Sequence, residues 1–206
     1  MSNNSPIPDI NKVKLEYRVI LDLIPAGSSV LDLGCGGGEL LNLLVKTKNV
    51  RGSGIEIDEQ AVRKCASLGI SVSQQDIEGG LSDYGNKSFD FVILDQSLQQ
   101  VVKLEAVLKE TLRVGDKVII GFPNFVYYKS RLQMVFGGRT PVTLSLPNMW
   151  YDTPNLHFLS ISDFQAYCRT RNLEIENAIY LDGNRIINFF PNLFAQMGIF
   201  LIGNKK

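Results

Sequence analysis

The sequence predicts an α/β protein whose parallel sheet is covered by helices on both faces, and three observations predict it. Short runs such as FDFVIL (Phe89 to Leu94) are apolar on both faces, as strands buried between two helical layers must be. Runs with apolar residues at helical spacing alternate with them up to Pro123. The first strand-like run drops into a glycine-crowded turn, VLDLGCGGGELL from Val30 to Leu41, at the place where such sheets bind ligands.

Taken in order, Val13, Leu15, Tyr17, Ile20, Leu21 and Ile24 recur at mostly helical spacing, so a helix is expected over Lys12 to Ile24, stopped by Pro25-Ala26-Gly27. Ser29 to Leu33 reads as the first strand, and Glu39 to Lys46 as a helix with Leu40, Leu43 and Leu44 inward. Arg51 to Ile57 is a strand, Glu59 to Ser67 a helix, Ile70 to Ser73 a brief strand and Phe89 to Leu94 a strongly apolar one. Leu104 to Leu112 returns to helix, and Asp116 to Phe122 is a fifth strand, stopped by Pro123. There the alternation ends. An insertion follows, at about 123–162, with a helix over Tyr127 to Phe136 and then turns and aromatics; it is expected to cover the ligand site. Ser162, with Asp163 behind it, reads as the cap of a helix running to Arg171. Leu173 to Leu181 and Phe194 to Ile202 close the chain as two strands able to pair antiparallel.

A chain of 206 residues suits one domain, residues 1–206, and its 45% hydrophobic and 20% charged content describes a soluble globular protein. Lys plus Arg equals Asp plus Glu, 21 of each, so no global field gathers phosphate backbones or anionic lipid; neither nucleic acid nor membrane is an expected partner. The late apolar segment Asn192 to Ile202 is too short for the roughly 20 residues of a membrane span. Cys35, Cys65 and Cys168 lack the spacing of a zinc site or disulfide framework, so no metal is expected and a reducing cytoplasm is the simplest compartment. The polar start, MSNNSPIPDINK, is unlike a secretory signal.

The turn has the spacing Gly34-x-Gly36-x-Gly38, and the dinucleotide fingerprint would require Gly or Ala where Glu39 stands. No phosphate-loop lysine follows either. Glu39 also places negative charge at a helix start where a pyrophosphate would bind, which argues for a ligand without phosphates, such as a nucleoside carrying a cation. Asp32 can accept from the turn's own amides or face a ligand ammonium. Glu56, about 20 residues past the glycines, stands where an acid meets ribose hydroxyls in doubly wound folds. Asp76 could accept from an adenine amine, with Ile77 as an apolar wall, or simply form a turn.

These residues resemble a class I S-adenosylmethionine (SAM) dependent methyltransferase: VLDLGCGGG, GIEID, QQD and FDFVILDQSLQ stand as its four motifs. The resemblance implies a Rossmann-like three-layer sandwich on a seven-stranded, mostly parallel sheet whose last strand is antiparallel. It implies SAM, or S-adenosylhomocysteine, held by Asp32, Gly34, Cys35, Gly36, Gly38, Glu56, Ile57, Asp76 and Ile77, with Asp95 and Gln96 beside the methionine portion. One departure is Gly37, where many relatives carry a polar residue. The segments LRVGDKVIIGFPNF, RLQMVFGGRTPVTLSLPNMWYDTPNLHFLSISDF and NLFAQMGIFLI narrow the resemblance to the MetW methionine-biosynthesis proteins over nearly the whole chain. That family implies association with homoserine O-acyltransferase, acting with it or regulating it. The alternative is a working methyltransferase on a small molecule or protein, in which His157, the only histidine, would be the catalytic base. His157 could equally hold the NMWYDTPN loop by hydrogen bonds, and Trp150, Tyr151 and Phe158 could be lid packing or a docking face. Lys129, Arg131 and Arg139 make this region locally basic, and Cys35 could react with an oxidant or serve as buried filler.

Overall fold

The computed structural model describes residues 13–79 and 81–205; Lys12 and the polar start lie outside them. The elements follow the order helix α1 (Leu15–Leu23), strand β1 (Ser29–Leu33), α2 (Glu39–Lys48), β2 (Arg51–Glu56), α3 (Glu59–Ser67), β3 (Ser71–Gln74) and β4 (Phe89–Asp95). A 3₁₀ turn over Leu98–Gln100 leads to α4 (Leu104–Val114), β5 (Gly115–Pro123), α5 (Tyr128–Gly137), α6 (Ile161–Thr170), β6 (Leu173–Asp182), β7 (Arg185–Ile186), α7 (Pro191–Phe194) and β8 (Met197–Asn204).

The strands form one sheet in the order β3-β2-β1-β4-β5-β8-β6-β7, parallel from β3 to β5. The last strand, β8, slots antiparallel between β5 and β6, as the sequence leads one to expect. The sheet has eight strands rather than seven. Gly183, in the left-handed region at φ +57°, lets the chain reverse at once, so Arg185 and Ile186 pair back onto Asp182 and Leu181 as a two-residue eighth strand. A second difference is that Phe194 lies in α7, and β8 begins only at Met197; Pro191 occupies the first turn of α7, where its missing N–H costs nothing.

Alternation along the strands sorts the core into two layers. Val30, Phe91, Ile93, Ile119 and Ile199 pack with α1 and α2, whereas Leu31, Leu33, Val92, Leu94, Val118, Ile120 and Phe200 pack with α4 and α6. Leu33, Ile55 and Leu94 belong to the second layer, so Asp32, Glu56 and Asp95, each one step away on its strand, all face the α1 side. Three carboxylates thereby converge at the carboxyl ends of neighbouring strands.

The cap of α6 is not Ser162. Helix α6 begins at Ile161, and Ser160 forms a reciprocal capping box with Asp163, its hydroxyl accepting from the Asp163 amide at 3.1 Å. In the insertion, residues 138–160 contain no helix or strand and are fixed by side-chain clasps. Gln133 donates to the Val142 carbonyl at 2.8 Å and accepts its amide at 2.9 Å. Among the described residues no helix is long and apolar enough to cross a membrane, and no cluster of three His, Cys, Asp or Glu side chains could hold a metal.

Candidate cofactor site

The glycine turn leaves β1 with the amides of Gly34 and Cys35 both donated to the Ile55 carbonyl, at 2.8 and 3.2 Å. Gly34 (φ +76°), Gly36 (+52°) and Gly38 (+75°) are all left-handed, which is why side-chain-bearing residues are disfavoured there. At Gly34 the constraint is doubled, because an added Cβ would sit 2.9 Å from the Ser97 Cβ at the end of β4. At Gly36 it would meet no atom within 4 Å. At Gly37 it would meet only the flexible ends of Lys64 and Glu39. Those two side chains form an ion pair, which holds the Glu39 carboxyl below its usual range. The repulsion of phosphate assigned to Glu39 is therefore partly neutralised, and the stronger anionic charge lies elsewhere.

It lies with Glu56, the strand-end acid whose two oxygens are held by backbone amides. The Glu56 carboxylate accepts the Gly36 amide at one oxygen, at 2.8 Å, and the amides of Ile57 and Asp58 at the other, at 2.8 and 2.9 Å. Two carboxylate oxygens offer about four acceptor positions. Glu56 thus shapes the turn first and keeps about one position free for a ligand hydroxyl. Asp32 is buried, and burial followed by the charge of Glu56 pushes it up to about 7. Asp95 is raised well above the usual carboxylate range, by burial first and then by Glu16. Its Oδ1 has no hydrogen-bond partner, and the space for it exists because Gly121 lacks a Cβ. The neighbouring Ser97 hydroxyl is likewise buried without a partner. Two unsatisfied polar groups and a pair of carboxyls resisting ionisation fit a site completed by a cationic, hydrogen-bonding ligand.

Between these elements lies a cleft of about 380 Å³, lined by Gly34, Glu56, Ile57, Asp76, Ile77 and Gln96 of the residues singled out in the sequence. Asp32, Cys35, Gly36, Gly38 and Asp95 are not on its lining. Ile57 is 65% exposed and Val102 70%, so the cleft presents an apolar wall that is open among the described residues. Asp76 is exposed, and its Oδ1 accepts the Glu78 amide at 2.9 Å; it forms a turn while its second oxygen stays available. Ser97, Gln100 and Val102 line the cleft as well and were not singled out. They stand in and around the 3₁₀ turn over Leu98–Gln100 after β4, and only Ser97 falls within a motif read from the sequence, FDFVILDQSLQ.

Gln96 adopts φ +55°, a strained conformation for this residue type. Its amide donates to the Gly121 carbonyl at 2.8 Å and its side chain to Glu16 at 2.7 Å. It separates the cleft from a second cavity of about 340 Å³, lined by Lys14, Glu16, Gln196 and Met197 and by Leu144 and Ser145 of the insertion. The insertion thus contributes two residues to that second cavity and none to the lining of the cleft. His157 is not on the wall of either cavity. Its Nε2 lies 2.9 Å from the Val101 carbonyl and its amide donates to Gln99 O at 3.0 Å, so it ties the insertion to the turn after β4. It borders a separate apolar cavity between α4 and α6. Phe158 packs on Phe125 at 4.8 Å between ring centres, whereas Trp150, 73% exposed, and Phe136, 83% exposed, face solvent. Lys129, Arg131 and Arg139 form no salt bridge among the described residues.

A sequence model of methionine biosynthesis protein MetW matches residues 14–202. The chain is 36% identical over 206 residues to the bifunctional methionine biosynthesis protein MetXA/MetW of Rhodopirellula baltica, covering 94% of this chain and 33% of that protein. It therefore spans about a third of the length of that relative. It is 29% identical over 188 residues to a ubiquinone biosynthesis O-methyltransferase of Nitrosococcus oceani, covering 87% of this chain and 77% of that one. A SAM-dependent methyltransferase from Archaeoglobus fulgidus superposes with a TM-score of 0.68 at 16% identity, over 91% of this chain and 90% of the other. A possible histamine N-methyltransferase from Thermotoga maritima gives 0.65 at 17%, over 92% and 87%. Both likenesses place the chain in the class I methyltransferase fold.

Proposed function

We propose, from the premise that the chain belongs to the MetW family of methionine biosynthesis proteins, that it binds SAM in the cleft and sets the activity of a homoserine O-acyltransferase in the cytoplasm. One observation carries the cofactor reading. The cleft combines an apolar wall of Ile57, Ile77 and Val102 with the Glu56 carboxylate on its lining, and the carboxyls of Asp32 and Asp95 stand on the neighbouring strand ends. An adenine ring suits the wall, one ribose hydroxyl suits the free acceptor position of Glu56, and a sulfonium with an α-ammonium suits the carboxyls of Asp32 and Asp95, which burial raises and on which Lys14 alone acts, at Asp95, as a counter-charge. Phosphates would meet repulsion. SAM when bound supplies an activated methyl group and a positive charge; the chain supplies orientation and the counter-charge.

SAM is the activated end product of the route that the acyltransferase begins. If SAM binds two states of the pair with different affinity, it shifts the acyltransferase between them. The Rhodopirellula relative joins MetXA and MetW in one protein, an arrangement that raises the effective concentration of one part for the other. The docking face we assign to the acyltransferase is the insertion surface around Phe136, Trp150 and Tyr151. Aromatics of this kind dominate interface energetics, and from Val118 to Tyr151 the chain has three cations and no carboxylate, which fits an acidic partner.

The second reading is catalytic: the cavity beyond Gln96 has room for a methyl acceptor next to the expected methionine end. His157, turned to the Val101 carbonyl, suits loop anchoring better than base catalysis.

Calorimetry with SAM, S-adenosylhomocysteine and NADH tests the ligand, with heat expected from the first two alone. Acyltransferase rates with and without this protein, as SAM is titrated, test the role. Unchanged rates in every mixture rule regulation out, and methyl transfer from labelled SAM to an extract component establishes the catalytic reading.

A further inference from the structure

Two cysteines thirty residues apart meet behind the glycine turn. The Cys35 sulfur lies 3.9 Å from that of Cys65 on α3, and Cys65 Sγ–H donates to the Gly36 carbonyl at 3.2 Å. Glycines clear the space on both sides. A Cβ at Gly54 would lie 2.5 Å from the Cys35 sulfur, and one at Gly38 would lie 2.8 Å from the Cys65 sulfur. Neither thiol has any other role in the fold beyond filling, and Gly36 is the residue whose amide Glu56 holds on the ligand side. The same peptide segment is therefore gripped from one side by the cleft acid and from the other by a thiol.

We propose that Cys35 and Cys65 form a redox modification site: a hydroperoxide closes them to a disulfide that pulls the turn at Gly36 out of its ligand-binding shape. The steps balance. Cys35, the more accessible of the two, attacks the peroxide's terminal oxygen, leaving an alcohol or water and a sulfenic acid. The Cys65 sulfur then attacks the sulfenic sulfur, the S–O bond breaks, water leaves with the Cys65 proton, and an S–S bond forms. The sulfurs close from 3.9 Å to about 2.05 Å, and Cys65 loses the S–H that holds the Gly36 carbonyl. Burial pushes both thiols up, so little thiolate is present and the pair closes slowly, under sustained oxidant only. The consequence for SAM rests on the cofactor reading above; the disulfide itself does not.

The test oxidises the whole protein with hydrogen peroxide and maps its disulfides by mass spectrometry, with Cys168, buried on α6, as the internal control thiol. Hydrogen exchange at residues 34–38 and calorimetry with SAM are recorded before oxidation, after it, and after dithiothreitol. The expected result is a Cys35–Cys65 link, faster exchange in the turn and a SAM affinity at least tenfold lower, all reversed by the reductant. In Cys65→Ala the oxidant should leave no reversible change in either readout. Absence of the link, or a link with unchanged exchange in the turn, overturns the proposal. A reduced protein that binds no SAM would sink the cofactor reading alone, because link and exchange are read without the ligand.

Discussion

The backbone amide of Gly36 donates to the carboxylate of Glu56 at 2.8 Å, across twenty residues and two strands. The acid at the end of β2 is thus a structural part of the glycine turn before it is a ligand contact. Glu56→Ala leaves the amides of Gly36, Ile57 and Asp58 without their acceptor, so stability should fall by about 2–3 kcal/mol and SAM affinity by about tenfold to a hundredfold. Glu56→Gln, which keeps one acceptor oxygen, should fall between. Urea denaturation and calorimetry measure the two losses, and an Ala variant matching wild type in both would refute the arrangement.

The glycines of the turn should differ in kind. Gly36→Ala meets no protein atom and suffers only the left-handed backbone, a cost of about 1 kcal/mol. Gly34→Ala meets Ser97 as well and should cost about 1–3 kcal/mol more. Denaturation midpoints compare them directly. Equal losses would mean that the close approach of the turn to β4 is not rigid.

Asp32 sets the expected pH dependence. Its folded value, raised from 3.8 to about 7, means that between those limits the folded chain binds more protons than the unfolded one. The group's contribution to stability without ligand therefore falls as pH rises through that window. A bound cation favours the ionised carboxylate, so SAM affinity should rise by about tenfold from pH 6 to pH 8, the span over which a group titrating near 7 goes mostly from neutral to charged. Asp32→Asn should flatten both slopes. A wild-type affinity that does not vary with pH would separate Asp32 from the ligand.

Trp150→Ala and Phe136→Asp should each weaken the complex with the acyltransferase by at least about tenfold while leaving SAM affinity unaltered, since both side chains face solvent away from the cleft. Added salt should weaken it further through Lys129, Arg131 and Arg139. Surface plasmon resonance with the acyltransferase immobilised reads this, and undiminished binding by both variants would move the docking face elsewhere.

Local patterning placed nearly every element of the sheet. Runs apolar on both faces could only be buried strands, and the antiparallel pairing of β8 with β6 followed from their proximity in the chain. The eighth strand escaped notice because two residues carry no periodicity; a single left-handed Gly183 creates it. Ser160 and Ser162 look equally able to cap α6, and the choice rests on which hydroxyl meets the Asp163 amide, a matter of where the chain enters the helix.

The chain's own letters determined the α/β class, the glycine turn, the strand-end acids and the MetW likeness, because each is written in residues near one another or at fixed spacing. Only the folded molecule decided how those parts are used. It committed three of the acceptor positions of Glu56 to backbone amides, left Asp95 and Ser97 unsatisfied, aimed His157 at a carbonyl and set Cys65 against Cys35. The reason is that hydrogen bonding and burial depend on distances between residues far apart in sequence, and packing the sheet between its two helical layers is what sets those distances.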